Sequence, residues 1–96
     1  MPTMRRLDGK RAVVLGAASR DNMGQVIARR FSAEGAEVLV AGRHLDELKR
    51  LAAEIGGHAA HCDITRLPDV EALGQAAVAA MGTVSIAVNA TGWGLL

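Results

Sequence analysis

The apolar run Ala12-Val13-Val14-Leu15 meets Gly16, a loop follows over residues 17–22, and Met23-Gly24-Gln25-Val26-Ile27-Ala28-Arg29-Arg30-Phe31 then continues at helical spacing. The order is strand, glycine turn, helix. A second apolar run over residues 37–41 follows a break at Gly35, so strand, helix and strand together take about thirty residues, the length of a βαβ unit. Such a unit pairs its strands in parallel, with a right-handed crossover. At its turn, the helix N-terminus presents N–H groups without intrahelical partners and about half a positive charge, while glycine lets the backbone approach an anion with no Cβ between. A nucleotide phosphate suits that chemistry; the alternative is a strand-to-helix turn that holds no ligand.

The alternation continues. A helix is predicted over residues 45–55, with Leu48, Leu51, Ala52 and Ile55 on one face and Asp46, Glu47, Lys49, Arg50 and Glu54 facing water. Gly56-Gly57 ends it. His58-Ala59-Ala60-His61-Cys62 reads as a short third strand, an assignment that rests mostly on its neighbours. Pro68 suits the first turn of a helix whose apolar stripe, Val70, Leu73, Ala77, Val78 and Met81, stops at Gly82. Residues 84–88 then give a fourth strand. With no repeat, linker or low-complexity tract between them, these elements form one βαβαβαβ unit from about Lys10 onward.

Composition narrows the function classes. Half of the 96 residues are apolar, enough for one small domain, but one Phe, one Trp and no Tyr leave the core to Val, Leu, Ile and Ala. A formal charge of +1 and scattered arginines give no basic surface for nucleic acid. Apolar stretches fall short of the roughly twenty residues needed to cross a bilayer, and Met1-Pro2-Thr3-Met4-Arg5-Arg6 lacks the hydrophobic region of a secretion signal. A cytoplasmic protein without a membrane partner is therefore expected. Cys62 is the only cysteine, which excludes an internal disulfide and agrees with a reducing compartment. His58 and His61 lie three apart in a strand, so they project to opposite faces and share no metal.

Four segments taken together carry a family resemblance: Gly16 to Gly24, Ala41-Gly42-Arg43, Cys62-Asp63-Ile64-Thr65 and Val88-Asn89-Ala90-Thr91-Gly92. In order and spacing the chain resembles the N-terminal half of the short-chain dehydrogenase/reductases, Rossmann-fold enzymes that bind NAD(P). The resemblance covers nearly the whole chain. It implies a three-layer α/β/α fold with a parallel sheet in the order 3-2-1-4, ended after the fourth strand. Against the family's TGxxxGxG pattern, Gly16 and Gly24 are eight apart, the loop is two residues longer, and Asn22 replaces the middle glycine. Asn tolerates positive φ better than most residues. The loop is similar to the divergent branch that contains the enoyl-acyl-carrier-protein reductases, whereas Ala41-Gly42-Arg43 followed by Leu45-Asp46-Glu47-Leu48 is similar to the main branch.

That resemblance implies a set of cofactor-binding residues. Gly16, Ala18, Ser19, Arg20, Asn22, Met23 and Gly24 belong to the glycine loop, and Asp63 corresponds to the acid that accepts from the adenine amino group, with Ile64 lining the adenine pocket. Asn89, Ala90 and Gly92 fall beside the cofactor at the end of the fourth strand. NAD users place an acid about twenty residues beyond the loop, whereas a 2′-phosphate needs a cation there. This chain has Gly42 and then Arg43, which with Arg20 favours NADP over NAD. The alternatives are solvated loop arginines, a turn aspartate at Asp63 and a plain turn at Asn89. Trp93 either touches substrate or covers the core.

In the family, reduction depends on a Ser and a Tyr-x-x-x-Lys pair. This chain has no Tyr, and Lys10 and Lys49 fall in segments that resemble surface, so no catalytic residue is assigned. Two functions follow. One is an NADP-dependent oxidoreductase acting on a small carbonyl, alcohol or enoyl substrate, with its catalytic half absent from this chain. The other is a noncatalytic nucleotide-binding or interaction module, pairing with another chain or with the missing half through the strand at residues 84–88.

Overall fold

The computed structural model of the 96-residue chain describes residues 6–17 and 23–90. Its elements alternate as the sequence predicts: β1 (Arg11–Leu15), α1 (Met23–Ala33), β2 (Glu37–Gly42), α2 (Leu45–Ile55), β3 (His58–His61), α3 (Leu67–Met81) and β4 (Ile86–Asn89). The four strands form one sheet in the order β3-β2-β1-β4, and every pairing is parallel. Three layers result, in a Rossmann-like α/β arrangement.

Strand periodicity divides the core into two. Val14, Val38 and Val40 point to one face and pack with Ala28 of α1 and Leu48, Leu51 and Ala52 of α2. Val13, Leu39 and Ala41 point to the other and pack with Leu73, Ala77 and Met81 of α3. Successive side chains of a strand alternate between faces, so an unbroken apolar run is what a sheet covered on both sides requires. α1 and α2 therefore lie on one face and α3 on the other, and the chain changes side between β3 and β4.

Four expectations need correction. The predicted stripe of α3 included Val70 and Val78, but both are exposed, Val78 to 55%. α3 lies over β3 and β2, which gives contact only to its narrow row Leu73, Ala77 and Met81. β4 begins at Ile86 rather than at residue 84, because the Ser85 hydroxyl, not a strand carbonyl, accepts from the Arg11 N–H at 3.1 Å. Cys62 lies just past β3; its N–H still donates to the Gly42 carbonyl and its side chain is buried on the α3 face. Glu47 does not simply face water, since a buried side chain of α1 draws it inward.

Candidate functional site

Parallel pairing brings the C-terminal ends of all four strands to one edge. Leu15 registers with Ala41 on one side and Asn89 on the other, and Gly42 registers with His61. In an open α/β sheet, ligands bind outside the carboxyl ends of the strands where the order reverses. Here that crevice lies between β1 and β4.

On the β1 side, Gly16 has φ of +95°, a left-handed conformation that side chains resist. Its N–H and that of Ala17 both donate to the Ala41 carbonyl, at 2.8 and 3.2 Å. An anion at this turn consequently meets the first turn of α1 rather than those two groups. Gly24, in that first turn, is buried, and an ideal Cβ on it would stand 2.5 Å from the Gly16 carbonyl oxygen. Met23, one residue earlier, is 67% exposed. Of the other glycine-loop candidates, Ala18, Ser19, Arg20 and Asn22 lie outside the described residues, as does Gly92.

At the end of β2, Gly42 is buried and Arg43 is exposed, and residues 41–44 include no acid. Asp63 follows β3. Its Oδ1 accepts from the Thr65 hydroxyl at 2.6 Å and from the Thr65 N–H at 2.9 Å, an Asx turn that presets the bend toward α3. These two bonds, with smaller help from Arg43 and Arg66, hold the Asp63 carboxyl below its ordinary value. The Asp63 N–H donates to Asp69 Oδ2 at 3.0 Å, and Ile64 beside it is exposed. Past β1 on the other side, the Ala90 N–H donates to the Leu15 carbonyl at 2.8 Å, which sets the exposed Asn89 next to the turn.

The remaining titratable residues go elsewhere. His58 Nε2 meets Glu37 Oε2 at 2.7 Å, whereas His61 Nδ1 lies 3.7 Å from Asp69 Oδ2, so the two imidazoles have separate partners. No cluster of His, Cys, Asp and Glu able to hold a metal occurs among the described residues. Burial, then the charges of Asp69 and Asp63, pushes the Cys62 thiol up.

Sequence reading missed Gln25. It is fully buried, and its Nε2 donates to the Ala17 carbonyl and to Glu47 Oε2, each at 3.0 Å. The signal lay in spacing: Gln25 and Ala28 share the inward face of α1, where a polar side chain requires partners.

A glycine turn at the switch point of a parallel sheet defines the Rossmann-like class. Residues 16–96 match the family model described as Enoyl-(Acyl carrier protein) reductase. The mitochondrial borneol dehydrogenase of Lavandula x intermedia is 37% identical over 89 residues, which cover 93% of this chain and 34% of that protein. The structure of 3-ketoacyl-(acyl-carrier-protein) reductase from Brucella melitensis complexed with NADH superposes with a TM-score of 0.80 at 37% identity, covering 84% of this chain and 34% of that one. Actinorhodin polyketide ketoreductase with NADPH gives 0.77 at 34% identity, covering 83% and 32%. The chain spans about a third of the length of these relatives. It belongs to the short-chain dehydrogenase/reductase family.

Proposed function

We propose that residues 1–96 form one dinucleotide-binding unit of a cytoplasmic short-chain oxidoreductase, with NADP(H) preferred to NAD(H). The observation that carries this is the seating of Gly24 against Gly16 beside the β1–β4 crevice. That contact seats the N-terminus of α1, with its partial positive charge, close to the end of β1, where a cofactor's pyrophosphate would bind. Solved relatives with NADH in one case and NADPH in the other support a nicotinamide dinucleotide.

The residues present fit such a group. Arg43 supplies the cation for a 2′-phosphate at the end of β2, where residues 41–44 include no acid. Asp63, held ionised, offers Oδ2 to an adenine amino group while Thr65 occupies Oδ1, and exposed Ile64 supplies apolar lining. Asn89 and Ala90 border the crevice at β4. When bound, the cofactor supplies a hydride. The substrate of such an oxidoreductase is a small carbonyl, alcohol or enoyl compound.

This chain has no Tyr, and Ser85 bonds Arg11 at the opposite edge of the sheet, so no proton donor faces the crevice from these groups. The 96-residue chain assayed alone with NADPH and ketones or enoyl thioesters is expected to show no turnover, because positioned proton transfer contributes about 10²- to 10⁴-fold. Calorimetric titration tests the binding reading: NADPH and NADH both saturate, NADPH with the lower Kd. Absence of binding by either at millimolar concentration overturns it.

A second reading, a noncatalytic interaction module, has its own support. Among the described residues the outer edge of β4 is unpaired, and Val78 on α3 is 55% exposed. On that reading the chain self-associates in sedimentation experiments and shows no dependence on nucleotide.

A further inference from the structure

We infer that Gln25 is a positioning residue for the turn that receives the cofactor's pyrophosphate, acting through the Ala17 carbonyl and anchored by Glu47. The inference rests on the nucleotide reading above and deepens it. Gln25 is 0% exposed, and among the described residues Ala17 O and Glu47 Oε2 accept from its Nε2, each at 3.0 Å, while Arg29 Nη2 donates to its Oε1 at 3.3 Å. Reversing the amide would set its oxygen against a carbonyl and a carboxylate, so only one orientation is stable.

The far end of the relay is also held. Arg50 binds Glu47 through Nη2 at 2.5 Å and reaches Glu54 at 3.3 Å, while Arg29 pairs with Glu54 at 2.6 Å. α1 and α2 are thereby clamped across their charged faces, and the clamp ends on the first residue after Gly16. The N–H groups of Gly16 and Ala17 are tied to Ala41 in β2, and the carbonyl of Ala17 is tied to Gln25. Both polar sides of the turn are thus fixed before a ligand arrives. A site set in advance binds more tightly than one that must be ordered.

Gln25→Met keeps length and volume but removes the donor, so the Ala17 carbonyl loses its anchor. NADPH affinity is expected to fall about tenfold, the effect of one lost buried hydrogen bond. Adenosine 2′-monophosphate, which lacks the pyrophosphate and reports on the Arg43 and Asp63 end, is expected to bind Gln25→Met as it binds the wild type. Gln25→Lys restores a donor toward both Ala17 and Glu47 and should keep NADPH affinity within about threefold of wild type. Both Kd values are read by titration of the full chain, with folding verified by circular dichroism.

Unchanged NADPH affinity in Gln25→Met, a parallel loss for both ligands, or a Gln25→Lys chain as weak as Gln25→Met would each overturn the inference and leave the nucleotide reading standing. A wild-type chain that binds neither NADPH nor NADH overturns both.

Discussion

Gly24 and Gly16 meet backbone to backbone: a Cβ on Gly24 would lie 2.5 Å from the Gly16 carbonyl oxygen and 2.9 Å from its carbonyl carbon. The two glycines are eight positions apart, wider than the family pattern the sequence resembles, yet the first turn of α1 still rests on the end of β1. What a phosphate site needs is this contact and the helix N-terminus beside it, not a particular loop length. A longer loop leaves both in place.

Gly24→Ala tests that contact. The opposing atoms are backbone, so no rotamer change relieves the clash, and the helix must move off the strand. A loss of about 1–3 kcal/mol is expected, as for overpacking elsewhere in a tight interior. Urea unfolding measures it, and a wild-type midpoint would mean that Gly24 does not approach Gly16 in solution.

Much of this architecture was legible because its strands are unbroken apolar runs and its turns carry glycine. Strand order followed from the family resemblance, not from the residues alone. Other features depended on neighbours that sequence does not display. Val70 and Val78 match the period of an inward stripe, but α3 presents only Leu73, Ala77 and Met81 to the sheet, and both valines are exposed. Ser85 reads as a strand residue until its hydroxyl is seen to replace a carbonyl as the Arg11 partner. The candidate site was read at Gly16, Gly24, Arg43, Asp63 and Asn89 from resemblance. Gln25 was missed because a polar residue on a helix suggests solvent unless the inward face is counted.

The face assignments predict unequal costs for two truncations. Leu51 is fully buried between α2 and the sheet, so Leu51→Ala should cost about 2–5 kcal/mol. Val78→Ala, on the open flank of α3, should stay within about 0.5 kcal/mol of wild type. Chemical denaturation compares them. Equal losses would mean that α3 is rotated from its described orientation.

Acid should reveal the Asp63 turn. Its folded carboxyl titrates below the ordinary value of about 3.9, chiefly because Thr65 donates twice to Oδ1. A depressed folded pKa contributes stability that is present above the unfolded value and lost as pH falls through the folded one. Thr65→Val removes the hydroxyl donor and keeps the N–H, so the Asp63 titration should move part of the way back up. Carboxyl chemical shifts followed against pH give the answer; an unmoved midpoint would discount the hydroxyl.

Arg43 tests the proposed cofactor preference. It is exposed at the end of β2, and its charge already reaches Asp63, contributing to that carboxyl's lowered pKa. A guanidinium there gains a charge-assisted pair of bonds only when the ligand carries a 2′-phosphate, a difference of about 1.5–3 kcal/mol. Arg43→Ala should therefore weaken NADPH binding by about 10- to 100-fold and leave NADH nearly unchanged. Arg43→Asp should go further and favour NADH, because the new carboxylate accepts from a ribose 2′-hydroxyl and repels a phosphate. Competitive titration of the two nucleotides separates the outcomes. Equal losses for both would assign Arg43 to the fold or to a shared part of the cofactor, and the source of any NADP preference would then have to lie elsewhere in the chain.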